Sequence, residues 1–180
     1  KLKHIHHISD IQIRNLKRHR EYEEVFNGLY EEVKKNPDNA VAYIGGDIAH
    51  SKCEMSPELI DQLSRLFKNL ADIVPTIIIA GNHDWHYEGM KGKLTSLRDK
   101  WIEKRLKPLY QGNNPLMAAY DIKGIRFLAI DNSTYEINEE QLNFFSEQVA
   151  SGLPLVLLVH IPMYAPGKKI SFGCGNPFWG

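Results

Sequence analysis

Four short polar motifs, each following an apolar run, hold the residues of this chain that could do chemistry. They are Ser9-Asp10-Ile11-Gln12, Gly45-Gly46-Asp47, Gly81-Asn82-His83-Asp84 and Val159-His160. Asp10 and Asp47 offer carboxylates, Gln12 and Asn82 amide oxygens, and His160 an imidazole. Mixed oxygen and nitrogen donors of this kind suit Mn, Fe, Zn or Mg and do not select among them. Asp10 and Gln12 stand two apart, so they point the same way in extended chain. Asp47 follows two glycines, which let backbone and ligand come close, and a carboxylate there can bridge two cations. Two cations about 3.5–4 Å apart can activate a shared water and hold both oxygens of an in-line phosphoryl displacement. His83, beside Asn82, is placed to protonate a leaving oxygen or to stabilise charge on a phosphate. Asp84 is placed to orient His83, as carboxylates do for catalytic imidazoles.

For these residues to meet, the runs before them must be neighbouring strands. Ile5 to Ile8, Val41 to Ile44, Thr76 to Ala80 and Leu153 to Val159 read as strands buried on both faces. Ligands of open α/β sheets bind beyond the carboxyl ends of the strands, which brings Asp10, Asp47, Asn82 and His160 to one edge. A helix over 18–35 carries Tyr22, Val25, Phe26, Leu29, Tyr30 and Val33 at helical spacing. A second helix opens at Ser56-Pro57-Glu58, with Pro57 at its first position, and its expected buried face is Leu59, Ile60, Leu63, Leu66, Phe67 and Leu70. Alternation of strands and helices predicts parallel pairing through right-handed crossovers. A helix near 94–104 is expected within an otherwise illegible polar stretch. Leu116 to Ile122 and Ile125 to Ile130, split by Lys123-Gly124, read as a hairpin. Asn138 opens a last helix with Gln141 at the capping-box position.

The 180 residues suit one domain with a sizeable core, and 43% apolar with 24% charged residues fits a globular chain. Net charge is zero with His neutral, so no global field pulls the chain toward nucleic acid or an anionic membrane. Cys53 and Cys174 make no disulfide framework, which makes a reducing, cytoplasmic setting the default. No run approaches the roughly 18 apolar residues of a membrane helix, so no membrane partner is expected, and no feature names a partner subunit. There is no initiating Met, and Pro177-Phe178-Trp179-Gly180 ends the chain in turn chemistry, as a fragment would.

The ordered series Asp-x-Gln, Gly-Asp, Gly-Asn-His-Asp and strand-His resembles the calcineurin-like metallophosphoesterases along the whole chain. The resemblance implies a phosphoesterase using two divalent metal ions, with Mn the leading expectation and Fe, Zn or Mg the alternatives. It implies a single domain over 1–180, an α/β/β/α sandwich of two mixed sheets flanked by helices. Asp10 and Gln12 would hold the first metal, Asp47 would bridge, Asn82 and His160 would hold the second, and His83 would be the catalytic histidine. The chain departs from that pattern twice. Gln12 stands where the family usually has His, and no His follows His160, so the family's downstream Gly-His-x-His motif is absent. Either the domain is incomplete at its C-terminus or the site is weakened.

Residues 4–84 resemble the DNA-repair exonuclease branch, the SbcD type, through Asp10-Ile11-Gln12-Ile13-Arg14, Arg18-His19-Arg20-Glu21-Tyr22 and Gly46-Asp47-Ile48-Ala49-His50. In that branch His50 matches an active-site histidine. Asp131-Asn132-Ser133 and His160-Ile161-Pro162-Met163-Tyr164 are similar instead to general phosphoesterases. The expected substrate is a phosphate mono- or diester, DNA among the candidates. The basic loop Arg14 to Arg20 could track a phosphate backbone or be a solvated helix entry. Trp85, Tyr87 and Trp101 could stack on bases or pack a lid, and His4, His6 and His7 read as structural. The reading from another class is a catalytically silent scaffold on the same fold, motivated by Gln12 and the absent histidine pair. The intact Gly-Asn-His-Asp argues against it.

Overall fold

The computed structural model describes residues 1–50, 55–81, 84, 102–103, 113–134 and 136–163. The elements are β1 (His4–Ile8), α1 (His19–Val33), a 3-10 turn (Pro37–Asn39), β2 (Ala40–Ile44), α2 (Pro57–Ile73), β3 (Thr76–Ile78), β4 (Met117–Ile122), β5 (Ile125–Ile130), α3 (Glu139–Ala150) and β6 (Leu155–Leu158). They form two three-stranded sheets, ordered β1-β2-β3 and β4-β5-β6. The first is parallel throughout, with Ile8 opposite Ile44 and Ile44 opposite Ile78. The second is mixed, an antiparallel β4–β5 hairpin with β6 parallel to β5. Strands β1 to β3 are parallel because each is joined to the next through a helix, which returns the chain to the same end of the sheet.

Strand β2 shows why its run is apolar at every position. Ala40, Ala42 and Ile44 pack with Phe26, Tyr30 and Val33 of α1 and Leu59, Leu66 and Leu70 of α2. Val41 and Tyr43, pointing the other way, pack with Ile77, Ile79, Phe127, Ala129 and Leu158 between the two sheets. Strand β5 alternates likewise: Phe127 and Ala129 face the first sheet, while Leu128 and Ile130 are buried too. Helix α3 packs against β4 and β5. The layers are therefore helices, sheet, sheet, helix.

Strands β1, β3 and β6 depart from the reading of strands buried on both faces. Among the described strands each has one neighbour; Ile5 keeps 44% and Ile78 38% of its surface exposed, and Leu155, Val156 and Leu157 are half-buried. An edge strand has one covered flank, so an apolar-looking run need not be a buried one. The expected helix starts are present: the Ser56 side chain accepts from Leu59 N at 3.2 Å. Asn138 and Gln141 form a reciprocal capping box, at 3.0 and 2.9 Å. The hairpin turn Lys123-Gly124 has positive φ at both residues, 53° and 84°, as a two-residue turn matching strand twist requires. From that turn the Lys123 ammonium donates to the carbonyls of Pro37, Asp38 and Ala40, tying the hairpin to the start of β2. The helix expected near 94–104 falls outside the described residues except at 102–103.

Leu66 is fully buried between α2 and the first sheet, whereas Ile60, expected on the same buried face, is 50% exposed, because it lies off the stripe of Leu59, Leu66 and Leu70 that meets the sheet. Leu66→Ala should cost about 3 kcal/mol of unfolding free energy and Ile60→Ala under about 0.5 kcal/mol, read from urea midpoints. Equal losses would refute the assigned helix face.

Candidate metal centre

The loops after β1 and β2 run side by side beyond the sheet. Gly45 N donates to Ile8 O (2.7 Å), Asp10 N to Gly46 O (3.2 Å), Gln12 N to Asp47 O (3.0 Å) and Ile13 N to Ile48 O (2.8 Å). Pairing continues to a parallel bridge between Ile13 and Ala49. Asp10, Gln12 and Asp47 all adopt left-handed backbone, with φ of 53°, 48° and 52°. Non-glycine residues rarely do so, and such conformations cluster at functional sites.

Two glycines let the β2 and β3 loops touch. A Cβ on Gly46 would lie 2.3 Å from Gly81 N, and one on Gly81 would lie 2.1 Å from Asp47 Oδ1. Asp84 binds the two loops together. Its carboxylate accepts from Gly81 N (2.8 Å), Asp47 N (2.8 Å) and Ile48 N (3.3 Å). Burial pushes the Asp84 carboxyl above its usual range, against the backbone N–H bonds, which favour the charged form.

His160 comes from the second sheet. Strand β6 ends at Leu158, and the Tyr43 hydroxyl donates to Val159 O at 3.2 Å. Buried Asn132, just beyond β5, holds the next turn. Its Oδ1 accepts from His160 N (3.2 Å) and Ile161 N (3.0 Å), and its Nδ2 donates to Ile161 O (2.7 Å). His160 Nδ1 meets Gly45 O at 2.7 Å, which requires the proton on Nδ1 and turns Nε2 toward Asp47 Oδ2 at 3.5 Å. Burial, the largest influence on this ring, disfavours its charged form. The bond to Asp47, the Gly45 carbonyl and the charges of Asp47 and Asp10 together outweigh it and raise the pKa from 6.5 to about 8.

Asp10, Asp47 and His160 thus present one ligand atom each, all within 4.8 Å of one another. Two hard oxygens and one imidazole nitrogen fit a divalent cation of the Mn, Fe, Zn or Mg group. The Gly45 bond gives the imidazole the second partner that orients metal-binding histidines. Gln12 and His50 lie on the adjoining loops and meet each other, with His50 Nδ1 3.2 Å from Gln12 Oε1. Asn82 and His83 lie outside the described residues, so the role of Asp84 toward His83 has no counterpart among the described contacts; the bonds described for Asp84 go to backbone. Sequence reading missed Asn132 as part of the site. The signal was there, since Asp131-Asn132-Ser133 follows the apolar run of β5 as the other motifs follow theirs.

Asp84→Asn would set an amide N–H against backbone donors. It should cost about 2 kcal/mol of stability and lower Mn affinity, read by urea unfolding and calorimetric titration; unchanged values in both would refute the clamp. The His160 ring holds its proton more tightly folded than unfolded. Its contribution to metal-free stability, about 2 kcal/mol, is full below pH 6.5 and lost as pH rises through about 8. In that window Mn must displace the proton, so Mn affinity should rise with pH and binding should release protons, measured by calorimetry in two buffers. Pairing that is pH-independent would refute the assignment.

Comparisons with known proteins bear on the fold and the family. Over 98 residues, 53% of this chain, the sequence is 46% identical to an uncharacterized protein of Acanthamoeba polyphaga mimivirus, the match spanning 7% of that protein. The fold is similar to that of purple acid phosphatase PPD1 from yellow lupin (Lupinus luteus) seeds, with a TM-score of 0.51 at 16% identity. That likeness covers 82% of this chain and 27% of the phosphatase. The family model for calcineurin-like phosphoesterases matches residues 3–178. With two sheets between helices and two carboxylates and an imidazole gathered at the strand ends, this chain belongs to the calcineurin-like phosphoesterase family.

Proposed function

We propose that this chain hydrolyses phosphate mono- or diesters with two divalent metal ions, Mn first among them. The observation that carries the reading is the meeting of Asp10, Asp47 and His160 ligand atoms within 4.8 Å. Asp10 and Gln12 would hold one cation, Asp47 would bridge, and Asn82 and His160 would hold the other. When bound, the cations would supply Lewis acidity toward the phosphoryl group and activation of water. The protein's own part is placement. Asp84 fixes the backbone on which Asp47 stands, Gly45 O keeps the His160 proton on Nδ1, and Asn132 holds the His160 turn. His83 would give a proton to the leaving oxygen.

Among phosphoesters, DNA is the substrate that the local charge favours. Arg14, Lys17, Arg18 and Arg20 are all exposed on the loop and helix start that follow Gln12. Arg18 is paired with Glu21, which leaves Arg14, Lys17 and Arg20 as the stronger candidates for phosphate contact. The reading as an exonuclease of the DNA-repair type rests on this patch and on the sequence likeness of residues 4–84.

With Mn added, the chain should hydrolyse a chromogenic phosphodiester, and Asp47→Asn should lower kcat by about 100-fold or more. His83→Ala should lower it as well. Action on DNA ends that falls steeply with salt would support the nuclease; salt-insensitive turnover of the small diester alone would count against it. Absence of turnover, with Mn binding unaffected by Asp47→Ala, would leave the silent scaffold as the better reading.

A further inference from the structure

We propose that His50 is a positioning residue for Gln12, and that the two act as one unit to present an amide oxygen to a divalent cation. The inference rests on the metal-dependent reading above. The main chain of Gln12 is held on three counts: its N–H donates to Asp47 O (3.0 Å), the next N–H donates from Ile13 to Ile48 O (2.8 Å), and the Tyr22 hydroxyl donates to its carbonyl (3.2 Å). These bonds keep a non-glycine residue at φ 48°, a conformation that persists only where its surroundings over-determine it. They do nothing for the side chain. Gln is among the residues with most rotamer freedom to lose on ordering, and it replaces the two-torsion imidazole that the resembled family usually carries there.

His50 supplies the missing constraint. Its own N–H donates to Ile13 O at 3.0 Å, and Ala49 bridges Ile13, so the His50 backbone is locked to the strand of chain that carries Gln12. Its Nδ1 lies 3.2 Å from Gln12 Oε1. An amide oxygen is only an acceptor, so Nδ1 must carry the proton. That oxygen has two lone pairs; His50 occupies one, and the other remains for a cation. An amide oxygen is a harder donor than imidazole, so the pair also favours Mg and Mn over Zn at this position.

The test is Mn binding to the full chain, by calorimetry and by the spectroscopic signal of free Mn, in wild type, His50→Ala, His50→Asn, Gln12→Ala and the double variant. Thermal melts confirm that each variant folds. His50→Ala should weaken Mn binding about tenfold in the wild-type background and by under about twofold when Gln12 is already Ala. His50→Asn, whose amide N–H can reach the same oxygen, should recover most of the loss. An unchanged Mn affinity in His50→Ala with a lowered kcat would overturn the proposal and make His50 a substrate contact. Equal losses in both backgrounds would overturn it too. Wild type that binds no Mn would sink the metal-dependent reading itself, an outcome distinct from binding without coupling.

Discussion

The site depends on how close the loops after β2 and β3 can come. Asp47 can face Asp10 and His160 only because its backbone turns left-handed at the end of β2, and that turn stands against the loop of Gly81. Side chains at positions 46 or 81 would push the loops apart. With glycines there, three backbone N–H groups from the two loops converge, and the Asp84 carboxylate satisfies all three. A buried carboxylate with donors of this kind is stable only if every bond is made. The polar clamp therefore has one arrangement, and Asp47 inherits that precision.

The second constraint is the meeting of two sheets. Asp10 and Asp47 come from the first and His160 from the second, so the ligand cluster exists only when the sheets are packed. Phe127, Ala129 and Leu158 seal that packing against Val41, Tyr43 and Ile77. Polar bonds then register the sheets: Tyr43 to Val159, His160 to Gly45 O, and Lys123 to the turn before β2. The apolar contacts supply most of the stabilisation because their area is large. The polar bonds set the relative position, because they are directional. Two neighbouring carboxylates call for positive charge; without a cation, the His160 proton provides part of it.

Much of this was legible in order along the chain. Ser56-Pro57 and Asn138 with Gln141 start their helices as expected, because caps depend on residues within one turn of each other. The Lys123-Gly124 turn is local in the same way. Strand β2 was read correctly as buried on both faces, since helices α1 and α2 cover one face and the second sheet covers the other. Strands β1, β3 and β6 were not, because burial of a strand depends on how many strands and layers lie beside it, and none of these runs carries a mark of being at an edge. Asn132 escaped for a related reason: its motif stands after β5 like the others, but its partners His160 and Ile161 are distant in sequence, so nothing local showed what it would hold.

The sequence by itself determined most of the described elements and the end of the strands at which Asp10, Asp47 and His160 stand, because strand periodicity and glycine punctuation are local physics. It also determined the family likeness that the ordered motifs express. The tertiary structure alone decided which donors meet. It gathered Asp10, Asp47 and His160, turned His160 Nε2 toward Asp47 through the Gly45 carbonyl, and set His50 against Gln12. It also showed Asp84 binding backbone N–H groups of two loops. Those outcomes rest on hydrogen bonds a few ångströms long between residues far apart in sequence, and only the packed sheets bring such groups within reach.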